Sequence, residues 1–373
     1  MSKDKIEILS MQHVNNFGSF IQAYSLKEML ESLGGEVSFL DIEPRAEDDA
    51  LMKDSRIDYS TELYQTSAAK KLFDGYLINR FRNKVVRKRQ DELFEECRNR
   101  HFNKADKDEQ HKLCVIGSDE VFNCMQESFW GFTSQLFGNV PNADKVITYA
   151  ACCGFTKLEN IPSPVKDKIS ESFKKVSAFS VRDENTYNFV KEITGRDDIS
   201  YNLDPALLGN FDKEIDEAKE IDKLPKKYCL IYSYPNRIHD EEDIKAIREF
   251  CKEKGLEIIT IGIQMMWISK YYIADPFQLL KAFKNAEFVI TDTFHGTIFA
   301  SKYSKKFAII TRDSNKNKLA DLVSRIGIND HVVSSTSELK NVYDKEHDKT
   351  LMNNMISLER EKTINYLKEN LNG

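Results

Sequence analysis

Apolar and polar positions alternate in blocks along this chain. Short apolar runs rich in β-branched residues break into polar turns, and helical spacing follows, as when parallel strands feed helices in an α/β domain. The chain opens with Lys5–Ser10 as a strand, Gly18–Leu33 as an amphipathic helix, Gly34 and Gly35 as its stop, and Glu36–Asp41 as the next strand. From about 61 to 103 the sequence is highly charged with helical spacing, which predicts a long helix or helical pair on the outside of the domain. Leu113–Asp119 then reads as a buried strand ending in a polar loop, and Lys145–Cys153 as another, ending at Gly154. Pro162–Lys175 is helical, and Ser177–Val181 is a strand with Arg182 and Asp183 at its carboxyl end. Asp183 and Glu184 open a helix through Ile193, and Tyr201–Pro205 closes this half.

The charged, weakly apolar segment Asp212–Lys227 reads as a linker. Beyond it the alternation resumes: strands at Tyr228–Tyr234 and Leu256–Ile261 flank a helix at Asp240–Lys254, and Pro276–Lys284 is helical. Strands at Glu287–Thr291 and Lys306–Ile310 and helices at Lys316–Ile326 and Met352–Leu371 complete the series. At 373 residues two domains are expected. The expected fold is α/β, with two Rossmann-like domains facing a cleft. Residues 1–211, with the helical insertion at 61–103, make the first domain and 226–345 the second, while a helix within 346–373 packs back on the first. Substrates would bind between the two halves.

Composition narrows the class. A hydrophobic content of 41% with 31% charged residues describes an ordinary folded protein, and the formal net charge of −6 with dispersed basic residues gives a nucleic-acid partner little support. One basic run, Arg80–Arg89, reads as the solvated face of a helix; contact with an anionic membrane surface or a lipid-linked substrate is the alternative. The seven cysteines show no CxxC spacing and several lie in strand-like runs, which fits a reducing cytosol. The first residues lack the apolar core of a signal peptide and no later run reaches the ~20 apolar residues of a membrane span. A cytoplasmic location is expected, with any membrane association peripheral, at the inner face.

The richest stretch for chemistry is Ala286–Ser301, where a buried strand breaks at Thr291-Asp292-Thr293 and a helix begins around His295. The carboxyl end of a parallel strand and the first turn of the next helix together favour anions. His295 could cap the helix, hold a phosphate or carboxylate, or pass a proton near neutral pH. Gly296 permits close approach of a ligand, or simply a tight turn. Asp119 follows the small Gly117 and Ser118 and could meet a ligand or cap the next helix. Arg182 offers a charged fork to an anion, or pairs with Asp183 or Glu184. Asp204, before Pro205, more often stabilises a turn. The loop Asn15–Ser19 is small and polar enough to face a phosphate or sugar, but it is not GxGxxG. Lys305, Lys306, Arg312, Lys316 and Lys318 could line an anion site, although most are expected to face solvent. No HExxH or DxD cluster suggests a metal, and no GxSxG elbow suggests a serine nucleophile. Cys152-Cys153 before Gly154 reads as a small pair ending a buried strand rather than as a thiol nucleophile.

Five pieces in order, Asn16–Leu26, Val115–Asn123, Ser180–Asp183, Leu203–Pro205 and Thr291–Gly296, make the chain resemble the polysaccharide pyruvyl transferase family over about residues 5 to 330. The resemblance implies a fold like the two-domain GT-B glycosyltransferases. It also implies transfer of a pyruvyl group from phosphoenolpyruvate to a sugar, forming a cyclic ketal in capsule or exopolysaccharide synthesis. On this resemblance His295 matches the donor-site His, for phosphate binding and proton donation, and Arg182 the donor-site Arg. Asp119 is the candidate for binding or deprotonating an acceptor hydroxyl. Asn16, Ser19, Thr293, Gly296 and Lys318 are further substrate-binding candidates, with no metal and no cofactor beyond phosphoenolpyruvate as donor substrate. The sugar acceptor is free, lipid-linked or nucleotide-linked. Better-studied members carry an Arg where this chain has Thr293, so the cation would come from Lys305, Lys306, Arg312 or Lys318, or the donor differs. The alternative readings are a nucleotide-sugar glycosyltransferase of the same architecture and a non-catalytic glycan-binding or assembly protein.

Overall fold

A computed structural model describes residues 3–52, 76–126, 128–235, 237–311, 316–345 and 347–372, with the side chains of 76–84 and 316–318 outside the described set. In chain order the strands are β1 (Lys5–Leu9), β2 (Glu36–Phe39), β3 (His111–Asp119), β4 (Ala143–Ala151), β5 (Val176–Val181) and β6 (Ile199–Tyr201), then β7 (Tyr228–Tyr232), β8 (Glu257–Ile261), β9 (Lys270–Tyr272), β10 (Phe288–Thr291), β11 (Phe307–Ile310) and β12 (Val332–Val333). Among the described residues they form two six-stranded sheets, ordered β2-β1-β3-β4-β5-β6 and β12-β11-β10-β7-β8-β9. Every pairing in both is parallel. Parallel neighbours need a crossover, and the helices between the strands supply it. Both sheets are of the doubly wound, Rossmann-like kind, the α/β class expected from the pattern.

The chain divides into two compact units. One comprises Met1–Thr61, Asn99–Gly209 and Ser357–Gly373, the other Glu62–Arg98 and Asn210–Ile356. Of the charged insertion, the described residues 76–98 group with the second unit and 99–103 with the first. A long helix runs Tyr76–His101, and within the second unit Gln90 holds it in place: its amide donates to the Ala274 carbonyl (2.7 Å) and accepts from the Ala274 N–H (3.0 Å). Of the last helix, Lys349–Asn372, the part from Ser357 onwards belongs to the first unit; there Leu367 and Leu371 are buried, and Tyr366 donates to the Thr148 carbonyl at the centre of the sheet.

Two sequence expectations are corrected. The segment read as a linker carries a helix, Asp212–Glu217, whose Ile215 is fully buried. The first helix, Phe17–Ser32, is not amphipathic: Phe17 through Lys27 is buried on all sides, polar residues included. Its polar side chains make this possible because each is satisfied inside. Gln22 donates to Ser10 Oγ (2.9 Å) and accepts from Ser118 Oγ (2.5 Å), and Ser25 donates to the Pro205 carbonyl (2.7 Å).

The first core is aromatic, with Phe122, Phe137, Phe173 and Phe179 packed in sequence at centroid separations of 5.1 to 5.6 Å. One carboxyl is buried in the same sheet. Glu7 on β1 is almost fully buried, and that burial raises its pKa from 4.5 to about 7, against a smaller opposing effect of the Cys114 thiol. His111 Nδ1 lies 3.4 Å from Glu7 Oε2, but a proton there also points to the Glu109 carbonyl at 3.0 Å. The native state therefore holds an extra proton between about pH 4.5 and 7, so stability falls as pH rises through that window. Glu7→Gln is expected to raise stability at pH 8 by at most ~3 kcal/mol, with the gain shrinking towards pH 4. Urea unfolding across this pH range checks it; parallel curves for the two proteins would remove Glu7 as the source.

Candidate active site

Each sheet has one place where successive crossovers leave in opposite directions, and there the carboxyl ends of adjacent strands open a crevice suited to ligands. In the first unit this lies between β1 and β3, and in the second between β7 and β10. Asn16, Ser19 and Asp119 fall at the first of these places and Thr293, His295 and Gly296 at the second, whereas Arg182 follows β5, two strands away from β3.

In the first unit, β3 ends at Asp119, and the Asn16 side chain caps the helix that follows β1, accepting from the Gly18 N–H at 2.8 Å and the Ser19 N–H at 3.4 Å. Ser19 Oγ donates to Asp119 Oδ2 at 2.6 Å, so three predicted residues form one chain of contacts. Asp119 is 8% exposed and has φ 74°, a left-handed conformation that Asp tolerates better than most residues and that aims its carboxylate across the strand ends. Gly117 has φ 123°, and a Cβ on it would lie 2.2 Å from the Tyr149 carbonyl, so glycine is obligatory just before the carboxylate.

Arg182 stands at the end of β5. Its Nη1 donates to Asp204 Oδ2 at 2.7 Å, with both side chains buried. Burial opposes the charge of Arg182, but electrostatic interaction with Cys152, Asp204, Asp119 and Asp183 outweighs it and holds the pKa above its usual value. Asp204 also caps its own short helix through the Ala206 N–H (2.9 Å), and Asp183 caps the helix Glu184–Thr194 through the Thr186 N–H (2.8 Å). Cys152 donates its thiol to Asp183 Oδ2 at 3.1 Å. The neighbouring Cys153 thiol is pushed up to about 12, chiefly by burial, so it stays protonated at neutral pH and is a poor nucleophile.

In the second unit, Thr293 caps the helix Phe294–Tyr303, its Oγ1 accepting from the Gly296 N–H at 3.0 Å. His295 stands in the first turn, with its ring edge-on to Phe294 (5.5 Å) and stacked towards Phe299 (6.2 Å). The space beside Gly296 belongs to the fold: a Cβ there would meet Thr291 Oγ1 at 2.1 Å, Thr293 Oγ1 at 2.5 Å and Tyr232 at 2.7 Å. Gly296 therefore lets the helix sit close on β10 and β7.

Lys305 and Lys306 precede β11, whereas His295 follows β10. Because the two strands are parallel, these lysines lie at the opposite edge of the sheet from His295 and do not supply its cation. Arg312 and the side chains of Lys316 and Lys318 lie outside the described residues. Arg237, five residues beyond β7 and not singled out from the sequence, reaches the turn before His295. Its Nη1 donates to the Asp292 carbonyl at 2.9 Å, in the turn that leads into Thr293. A separate cavity of about 580 Å³ in the second unit, lined in part by Val86, Leu93, Tyr271 and Tyr272, includes none of these residues. Among the described residues no three His, Cys, Asp or Glu side chains are grouped to hold a metal, and no helix is long and apolar enough to cross a membrane.

These units define a doubly wound α/β protein whose acidic, basic and imidazole groups cluster where its strands end. The chain belongs to the polysaccharide pyruvyl transferase family, whose sequence model matches residues 16–314. No curated protein matches it by sequence. Among solved structures it is similar to Arabidopsis thaliana UGT89C1 complexed with UDP, at 10% identity over 99% of this chain and 100% of that one, with a TM-score of 0.49. It is also similar to the UDP-GlcNAc 2-epimerase from Methanocaldococcus jannaschii, at 12% identity over 97% and 99% of the two chains, with a TM-score of 0.47.

The packing around Gly296 sets a stability test. Gly296→Ala should destabilise the protein by roughly 1–3 kcal/mol through overpacking. Urea unfolding would show a lower midpoint with an unchanged slope, whereas an unaltered midpoint would mean that the Thr291, Thr293 and Tyr232 contacts yield freely.

Proposed function

We propose that this protein transfers the pyruvyl group of phosphoenolpyruvate to a sugar in the synthesis of a capsule or other surface glycan. Two hydroxyls of the sugar add to carbon 2 of the donor, carbon 3 gains a proton, the carbon–oxygen bond to phosphorus breaks, and phosphate leaves with the remaining proton. The observation that carries this reading is the Ser19–Asp119 pair at the β1/β3 switch point, within a chain of this family. A buried carboxylate already accepting a hydroxyl proton at 2.6 Å is the group an acceptor alcohol needs as base.

In this reading Asp119 receives the proton of an acceptor hydroxyl, with Asn16 and Ser19 shaping the loop beside it. His295 binds the donor phosphate and donates the proton to carbon 3. Thr293 and Gly296 hold the backbone of that first turn in place. Arg182 has a carboxylate partner before any donor arrives, so it acts as a positioning residue that anchors Asp204 and the acidic groups near Asp119. Phosphoenolpyruvate serves as substrate, no resident cofactor is required, and the reaction belongs on the cytoplasmic side of the membrane, where phosphoenolpyruvate is made.

The test is complementation of a strain lacking the gene, with the pyruvate ketal of the surface glycan measured by mass spectrometry. The unaltered chain should restore the ketal, while Asp119→Asn and His295→Ala, folded by circular dichroism, should lower its rate of formation by about 10²-fold or more. Full ketal content with both variants would favour a non-catalytic glycan-binding role. A change in glycosidic composition without any ketal would favour glycosyl transfer from a nucleotide sugar.

A further inference from the structure

We infer that Arg237 binds one of the two anionic groups of the donor, an inference that rests on the functional reading above. Three observations converge on it. Arg237 follows β7 and reaches the turn after β10, the two strands that flank the switch point of the second sheet. Its fork is held from two directions, by the hydrogen bond to the Asp292 carbonyl with the buried Asp292 carboxylate 3.9 Å away, and by stacking over the Tyr234 ring at 4.6 Å. Finally, its side chain is 29% exposed, against 8% for Arg182.

A guanidinium carries five N–H donors in one plane, and a single one has a hydrogen-bond acceptor among the described residues. An arginine kept for structure alone would be expected to spend more of them on the protein. Here the backbone contact and the aromatic face fix the plane in advance, and the remaining edge is left for a carboxylate or phosphate, which it can take in bidentate fashion. Asp292 offsets part of the charge while no donor is bound. Thr293 is occupied as a helix cap and carries no charge, so the cation at this turn has to come from another strand end.

Calorimetric titration of the full chain and of Arg237→Gln and Arg237→Lys with phosphoenolpyruvate tests this. The Gln variant should bind about tenfold or more weakly, the Lys variant should recover part of the loss, and thermal midpoints should stay within about two degrees. Inorganic phosphate and pyruvate as separate probes identify the group held: the probe whose binding weakens carries the contact. Unchanged phosphoenolpyruvate binding in a folded Gln or Lys variant overturns this inference alone. No binding to the unaltered chain overturns the functional reading and this inference with it.

Discussion

In a sheet whose strands all run the same way, every strand delivers its last residue to one edge, and the side chains that follow compete for the space there. Both sheets of this protein are built under that constraint. It brings Asp119 from β3 beside the helix that follows β1, and Arg237 from beyond β7 beside the turn after β10, although neither pair is close in sequence. It also removes candidates, because a residue that precedes a strand belongs to the other edge whatever its charge. Lys305 and Lys306 are lost on that ground alone.

Charge at these edges is handled differently in the two units. The first sinks a guanidinium among carboxylates: Arg182 and Asp204 are both nearly dry, and removing either would leave the other charge buried without its partner. The arrangement gives rigidity to the strand ends around Asp119. The second keeps its arginine partly in water and fixes it through a backbone carbonyl and an aromatic face. One device suits a group that must be held still, the other a group that must meet a solute. Around His295 the close seating of the helix on β10 and β7 depends on the missing side chain of Gly296.

Much of the fold was legible because strand and helix periodicities alternate cleanly and because caps announce themselves. Asp183 and Glu184 were read as opening a helix and Asp183 is its cap, whereas the cap before His295 is Thr293, read from sequence as a substrate-binding candidate. Partners distant in sequence left no such trace. Arg182 finds Asp204 because β5 and β6 are neighbours in the sheet, and strand order is not encoded in spacing. Helix Phe17–Ser32 was misread for a related reason: its polar residues suggested a wet face, yet they are spent on Ser10, Ser118 and Pro205. Arg237 was missed because a polar turn after a strand holds many charged residues, and which one reaches its neighbour is decided by the folded chain.

Under the proposed function the second switch point receives a small donor with two anionic groups, a carboxylate and a phosphate, rather than a nucleotide. The most direct measurement is a calorimetric titration of the purified full chain with phosphoenolpyruvate alongside a panel of nucleotide sugars. The expected result is saturable binding of phosphoenolpyruvate, displaced by inorganic phosphate, whether or not a nucleotide sugar also binds as acceptor. Saturable binding of a nucleotide sugar together with silence from phosphoenolpyruvate would contradict it.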